Sequence, residues 1–134
     1  VGNAVHEGKY IVVGNGATQV VRAAMSALQQ LSGKDSMTVF SKPPYYTNFK
    51  KWADITPIET PWNTSLELNE DDVIEMVAYP NNPDGRRAIP FYNTTNTIYD
   101  LVYYWPSYID VNKQMDEDIM VFSLGKLTGH SATM

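Results

Sequence analysis

Apolar positions recur along this chain in two rhythms, and the switches between them mark its elements. Tyr10–Val13 (YIVV) is a β-branched apolar run that predicts a buried strand. Between Thr18 and Leu31, Val20, Val21, Ala24, Met25, Leu28 and Leu31 stand three or four apart, the period of an amphipathic helix, with Gly33 placed as its stop. Met37–Phe40, Val73–Ala78, Thr97–Val102 and Ile119–Phe122 carry the strand signature again, and Asp54–Pro61 holds a further candidate strand broken by Pro57 and Pro61. Between them lie the turn KPPYY (Lys42–Tyr46), a polar stretch with Phe49 and Trp52, an exposed polar segment Thr64–Asp72, the turn YPNNPDG (Tyr79–Gly85) and a polar excursion Arg86–Thr95.

Strand, glycine turn, helix and strand at the front predict a βαβ unit. The chain therefore reads as an α/β fold, a mostly parallel sheet flanked by helices. Ligands of open α/β sheets sit beyond the carboxyl ends of the strands. The turns at Gly14, Asn82, Asp100 and Lys126 are expected to face one crevice.

The totals narrow the function. With 134 residues, 43% of them hydrophobic, the chain suits one domain with a real core. A net charge of −5 argues against a nucleic-acid partner and against an acidic membrane surface. There is no cysteine, which excludes disulfides and thiolate metal sites, and His6 and His130 lie too far apart in sequence to suggest a histidine zinc site. No apolar run approaches the roughly 18 residues of a membrane span. The chain starts at Val1 and enters patterned sequence at once, so it is expected to be a piece of something longer. Sequons begin at Asn63 and Asn93, about the number that an asparagine-rich sequence yields by chance.

Several positions carry candidate chemistry. GNGAT at Gly14–Thr18 opens a helix with small residues and free N–H groups, suited either to a phosphate or simply to a tight turn. It lacks the third glycine of the dinucleotide fingerprint, where Gln19 stands, and the lysine of a Walker loop. Asp100 interrupts the apolar strand TIYDLVYYW. It either meets solvent at a strand end or needs a buried partner such as an arginine, a metal or a cationic ring. Tyr103 stands close enough to share that site, whereas Tyr104 and Trp105 read as packing. Asn82 belongs to a turn that either shapes the chain or presents an amide. Lys126 leaves the last strand into a Gly- and Ser-rich turn, as a surface lysine or as an amine nucleophile. GHSAT at Gly129–Thr133 lacks the last glycine of a nucleophile elbow, and no acid or histidine follows it. Asp116–Asp118 reads as a solvated face.

In their order along the chain, VGNAVHEGKYIVVGNGATQ, KPPYY, YPNNPDG, DLVYYWP and the closing S-x-x-K-x-T-G-H resemble the plant alliinase and tryptophan aminotransferase family, pyridoxal-phosphate enzymes of fold type I. The resemblance covers the whole chain. It implies that residues 1–134 are part of the large cofactor-binding domain, without the N-terminal segment and small C-terminal domain. Lys126 would form the Schiff base with pyridoxal 5'-phosphate and move the α-proton. Asp100 would keep the pyridine nitrogen protonated. Asn82 and Tyr103 would bond the ring's phenolic oxygen, and Tyr46, or else Tyr45, would stack on its face. Gly16, Ala17, Thr18 and Ser123 would hold the phosphate. Gly125 replaces the family's usual serine, and Met134 stands where its phosphate-binding arginine falls. The implied function is an aminotransferase acting on an amino-acid substrate, within a homodimer. The alternatives are a carbon–sulfur lyase cleaving cysteine sulfoxides and a truncated, non-catalytic fragment. A flavodoxin-like nucleotide module would explain the glycine turn but leave Asn82, Asp100 and Lys126 without a role.

Overall fold

The computed structural model describes residues 4–52, 68–92 and 94–130. In chain order its elements are helix α1 (Gly16–Ser32), strand β1 (Thr38–Phe40), helix α2 (Asn48–Trp52), strands β2 (Val73–Ala78), β3 (Thr97–Asp100) and β4 (Ile119–Val121), and helix α3 (Leu124–Thr128). A one-turn 3-10 helix, Glu70–Asp72, leads into β2 and is opened by Asn69, whose side chain accepts the Asp71 N–H. The four strands form one sheet in the order β1-β2-β3-β4, every pair parallel. All four therefore end on the same side of the sheet.

Burial follows from that topology. A parallel strand covered on both faces reads as a continuous apolar run, and all six residues of β2 are buried. On one face, Val21 and Met25 of α1 and Phe49 of α2 pack over Val39, Ile74, Met76, Ile98 and Val121. The opposite face is covered by the segment after β3, where Leu101, Tyr104 and Met115 close on Tyr79. The expected period of α1 holds at Val20, Val21, Ala24, Met25 and Leu28, although Leu31 lies outside the core. Gly33 ends the helix in the left-handed conformation at φ 67°, with its N–H on the Gln30 carbonyl. Tyr104 and Trp105 are packing residues, as read from sequence, and the Trp105 indole donates to the Val102 carbonyl at 3.1 Å.

The predicted strand Tyr10–Val13 is not formed. The run is irregular and open to solvent, with Tyr10 99%, Ile11 78%, Val12 71% and Val13 81% exposed. Strand propensity becomes a strand only when a neighbouring edge supplies hydrogen bonds and a face to bury, and none of the four strands lies beside this run. The front of the fold is thus a helix leading into β1 rather than a βαβ unit. The segment before the run is tied down. Ala4 bridges Met115, the Val5 N–H reaches the Met115 carbonyl at 2.8 Å, and the Lys9 amine holds the Glu117 carbonyl at 3.1 Å and Asp116 at 3.0 Å. The candidate strand Asp54–Pro61, residues 64–67 of the Thr64–Asp72 segment, both sequon asparagines and Ser131–Met134 lie outside the described residues.

Glu75, in the middle of β2, was not singled out by the sequence reading. It is 1% exposed, and its carboxylate accepts the N–H groups of Phe91 at 2.5 Å and Tyr92 at 3.0 Å. That grip folds the Arg86–Thr95 excursion back onto the sheet, where both rings pack on Phe40. Glu75→Ala leaves two part-buried N–H donors without their acceptor and is expected to cost about 1–3 kcal/mol. Glu75→Gln, which keeps an acceptor oxygen, should cost less. Urea unfolding of the two variants measures the difference.

Candidate active site

Because the strands run parallel, the segments that leave them converge. An open cleft of about 250 Å³ lies at their carboxyl ends, and the residues singled out from sequence come together on it. Gly16, Ala17 and Thr18 line it from the start of α1, and Asn82 from the turn after β2. Asp100 and Tyr103 reach it from the end of β3, and Ser123 and Lys126 from the end of β4. Tyr46 closes the side next to α2. Tyr45 packs instead against the core below and does not line the cleft. Lys126, expected in a turn, stands in the middle of α3, whose first residue follows directly on Ser123.

At one end of the cleft the backbone is arranged to receive a group. Asn15 precedes α1 without a side-chain cap, so the N–H groups of the first turn are not taken up by it. The Gln19 side chain accepts the Asn15 N–H at 2.5 Å and draws the loop tight. Gly14 makes that possible, because a Cβ there would lie 2.8 Å from Val20 Cγ2 and 3.0 Å from Gln19 Oε1. Gly14→Ala is therefore expected to cost about 1–3 kcal/mol through overpacking, read as a lower Tm. Gly16 follows at φ 74°, a conformation that glycine adopts without strain. Across the cleft, the side chain of Ser123 makes no capping bond to α3.

The electrostatics centre on Asp100. It is 5% exposed, and burial pushes its carboxyl up to about 6. The Val102 N–H, 3.2 Å from Oδ1, and the charge of Lys126 both pull the other way without cancelling that effect. A carboxylate in this state favours a cationic partner delivered into the cleft. The Lys126 amine stands 5.0 Å from the centre of the Tyr103 ring, over its face, a cation–π contact. Among the described residues no cluster of three or more His, Asp or Glu could hold a metal ion.

Two features of the site escaped the sequence reading. Trp52 lines the cleft beside Tyr46, with the two rings 5.6 Å apart at 71° and Phe49 completing an edge-on trio. Tyr46, Phe49 and Trp52 recur every third residue, a helical spacing that the prolines of KPPYY obscured. Asn81, beside the residue that was singled out, bonds the Pro44 carbonyl at 2.8 Å and Asp84 at 2.9 Å. It thereby fastens the turn carrying Asn82 to the loop carrying Tyr46. The Asp84 carboxyl is held below its ordinary value by the Arg86 N–H first and the Asn81 amide second.

A glycine turn opening a helix, a buried strand-end aspartate and a lysine after the last strand now share one cleft. The sequence model of allinase matches residues 1–134 in full. The chain belongs to the alliinase family. It is 39% identical to tryptophan aminotransferase-related protein 3 of Arabidopsis thaliana, over 99% of this chain and 32% of that protein. It is 36% identical to tryptophan aminotransferase-related protein 1 of Oryza sativa subsp. japonica, over 99% of this chain and 31% of that protein. With alliin lyase of Allium cepa var. aggregatum the identity is 36%, over 99% of this chain and 32% of the relative. The chain spans about a third of the length of the curated relatives it matches. Its parallel sheet with flanking helices is the α/β fold of this fold type I family.

Proposed function

We propose that this chain forms the pyridoxal-phosphate site of an amino-acid enzyme, and that the enzyme is an aminotransferase. The observation that carries the reading is the buried Asp100 facing into the cleft that Lys126 also lines. Family membership and aminotransferase-related relatives support it.

The residues present fit the cofactor. The N–H groups of Ala17 and Thr18 at the start of α1, with the Ser123 hydroxyl, suit a phosphate, while the Gly16 N–H donates to the Gly14 carbonyl at 2.9 Å and leaves Gly16 to line the cleft with its backbone. Asp100 suits a protonated ring nitrogen, which would relieve the cost of its burial. Asn82 and Tyr103 would donate to the ring's phenolic oxygen, and Tyr46 would lie against its face. When bound, the cofactor supplies an aldehyde that condenses with amines and a ring that draws electron density from the substrate's α-carbon. The protein's task is then to hold and move protons. Asp100 keeps the ring nitrogen protonated, and Lys126 takes the proton from the α-carbon and returns it elsewhere. Lys126 is half-buried, and its amine lies over the Tyr103 ring. A homodimer completing the cleft belongs to the same proposal.

The reaction is decided by products. The protein at its full natural length, loaded with pyridoxal phosphate, is given tryptophan with and without a 2-oxo acid acceptor. Aminotransfer produces the oxo acid of tryptophan and consumes the acceptor in equal amount. A lyase instead releases pyruvate and ammonia from a cysteine sulfoxide with no acceptor present, an outcome that the alliin lyase relatives make the second reading. Absence of both reactions in a protein that binds the cofactor would overturn the proposal.

A further inference from the structure

Helix α3 is five residues long, so the carbonyls of its last turn lack partners within the helix. One of them is the carbonyl of Lys126, and it accepts the Tyr108 hydroxyl at 3.2 Å. Tyr108 does not line the cleft. It stands in the turn beyond β3, its N–H bonded to the Trp105 carbonyl at 2.9 Å. The same tyrosine ring meets Tyr103 edge-on, with centroids 5.1 Å apart and planes at 81°. Tyr103 in turn offers its face to the Lys126 amine at 5.0 Å. Tyr108 thus touches both ends of the lysine, its backbone directly and its amine through one intervening ring.

We propose that Tyr108 is a positioning residue that aims the Lys126 amine into the cleft, by holding the Lys126 carbonyl and the Tyr103 ring at once. This goes beyond the pyridoxal-phosphate reading and rests on it, because aim matters most for an amine that must meet an aldehyde. A residue that only capped α3 would give no reason for the second contact. The hydroxyl fixes where the lysine leaves the helix, and the ring fixes what its far end rests on. Between these two points the flexible four-carbon stem has few conformations left. A misplacement of about 1 Å in a reacting group can cost about 100-fold in rate.

The test compares two probes in the full-length protein. Pyridoxal phosphate can bond to Lys126 through its aldehyde, whereas pyridoxine 5'-phosphate has no aldehyde and reports the cleft alone. Tyr108→Phe keeps the ring and loses the hydroxyl, and should slow capture of pyridoxal phosphate about fivefold, the worth of one hydrogen bond. Tyr108→Ala loses both contacts and should slow capture about 10- to 100-fold. Tyr108→Phe, which keeps the ring resting on Tyr103, should bind pyridoxine phosphate within about twofold of the parent, and Tyr108→Ala, which also frees the Tyr103 ring, should lose clearly more in capture than in pyridoxine phosphate affinity. If capture and pyridoxine phosphate affinity fall together, or if neither falls, the positioning role is overturned.

A second measurement needs no cofactor. Reductive methylation with ¹³C-formaldehyde labels the lysines, and the Tyr103 ring should shift the Lys126 methyl resonance upfield. Loss of that shift in Tyr108→Ala, with the circular dichroism spectrum retained, supports the role. An unchanged resonance overturns it. Should the parent capture no pyridoxal phosphate at all, the cofactor reading falls, and this resonance decides the positioning role by itself.

Discussion

Asp100→Asn is expected to make the cofactor-free protein more stable above pH 6 and the loaded enzyme far slower. The carboxyl's pKa rises from 3.8 to about 6 on folding, because burial disfavours the charged form. Between those values the folded protein holds a proton that the unfolded chain has released. Stability therefore falls as pH rises through this window, and the full loss applies above it. The loss amounts to about 3 kcal/mol. Asparagine does not titrate and can still accept the Val102 N–H. The variant should gain on the order of 2–3 kcal/mol over the parent at pH 7–8, and nothing below about pH 4. With cofactor bound the sign reverses. The parent's carboxylate then has a cationic partner, and removing one member of a buried charge pair costs about 3–5 kcal/mol, or about 10²- to 10⁴-fold in turnover. Urea unfolding at several pH values and steady-state rates on the same preparations test both halves. A variant that is less stable at pH 8 and equally active would contradict the role given to Asp100.

Lys126→Ala is the other large effect. On the proposed chemistry, the alanine lacks both the covalent anchor and the group that moves the α-proton. Loss of the proton transfer alone is worth about 10²- to 10⁴-fold in kcat. Lys126→Arg should not restore it, because a guanidinium keeps its proton at any working pH. The fold should survive, since Lys126 is half-buried on a short helix and only its amine rests on Tyr103. Cofactor affinity should fall less than turnover, because the phosphate cradle and Asp100 remain. Single-turnover kinetics with added amine, which can partly replace a missing lysine, separate the proton-transfer loss from the anchoring loss.

The sheet was legible in sequence because its strands are buried on both faces. A doubly covered strand such as Val73–Ala78 leaves an uninterrupted apolar run, and α1 leaves its three-four spacing. Tyr10–Val13 has the same composition as a true strand, and sequence alone does not say whether an edge lies beside it. The residues that line the cleft were legible where chemistry and pattern disagree, such as a carboxylate in an apolar strand. Glu75 broke the pattern of β2 in the same way as Asp100 broke that of β3. Its role was hidden because its partners are backbone N–H groups 16 and 17 residues away. Trp52 and Asn81 were hidden for other reasons. The prolines of KPPYY obscured the helical spacing of Trp52 with Tyr46 and Phe49, and Asn81 acts through a loop-to-loop contact, which leaves no period in the sequence.

The proposed chemistry needs one lysine among several. The full-length protein is incubated with pyridoxal phosphate, reduced with borohydride, digested and mapped by mass spectrometry. The adduct is expected on the peptide carrying Lys126 and is expected to vanish in Lys126→Ala. Label on Lys9, Lys34 or Lys113 in its place, or an adduct unchanged in the variant, would contradict it.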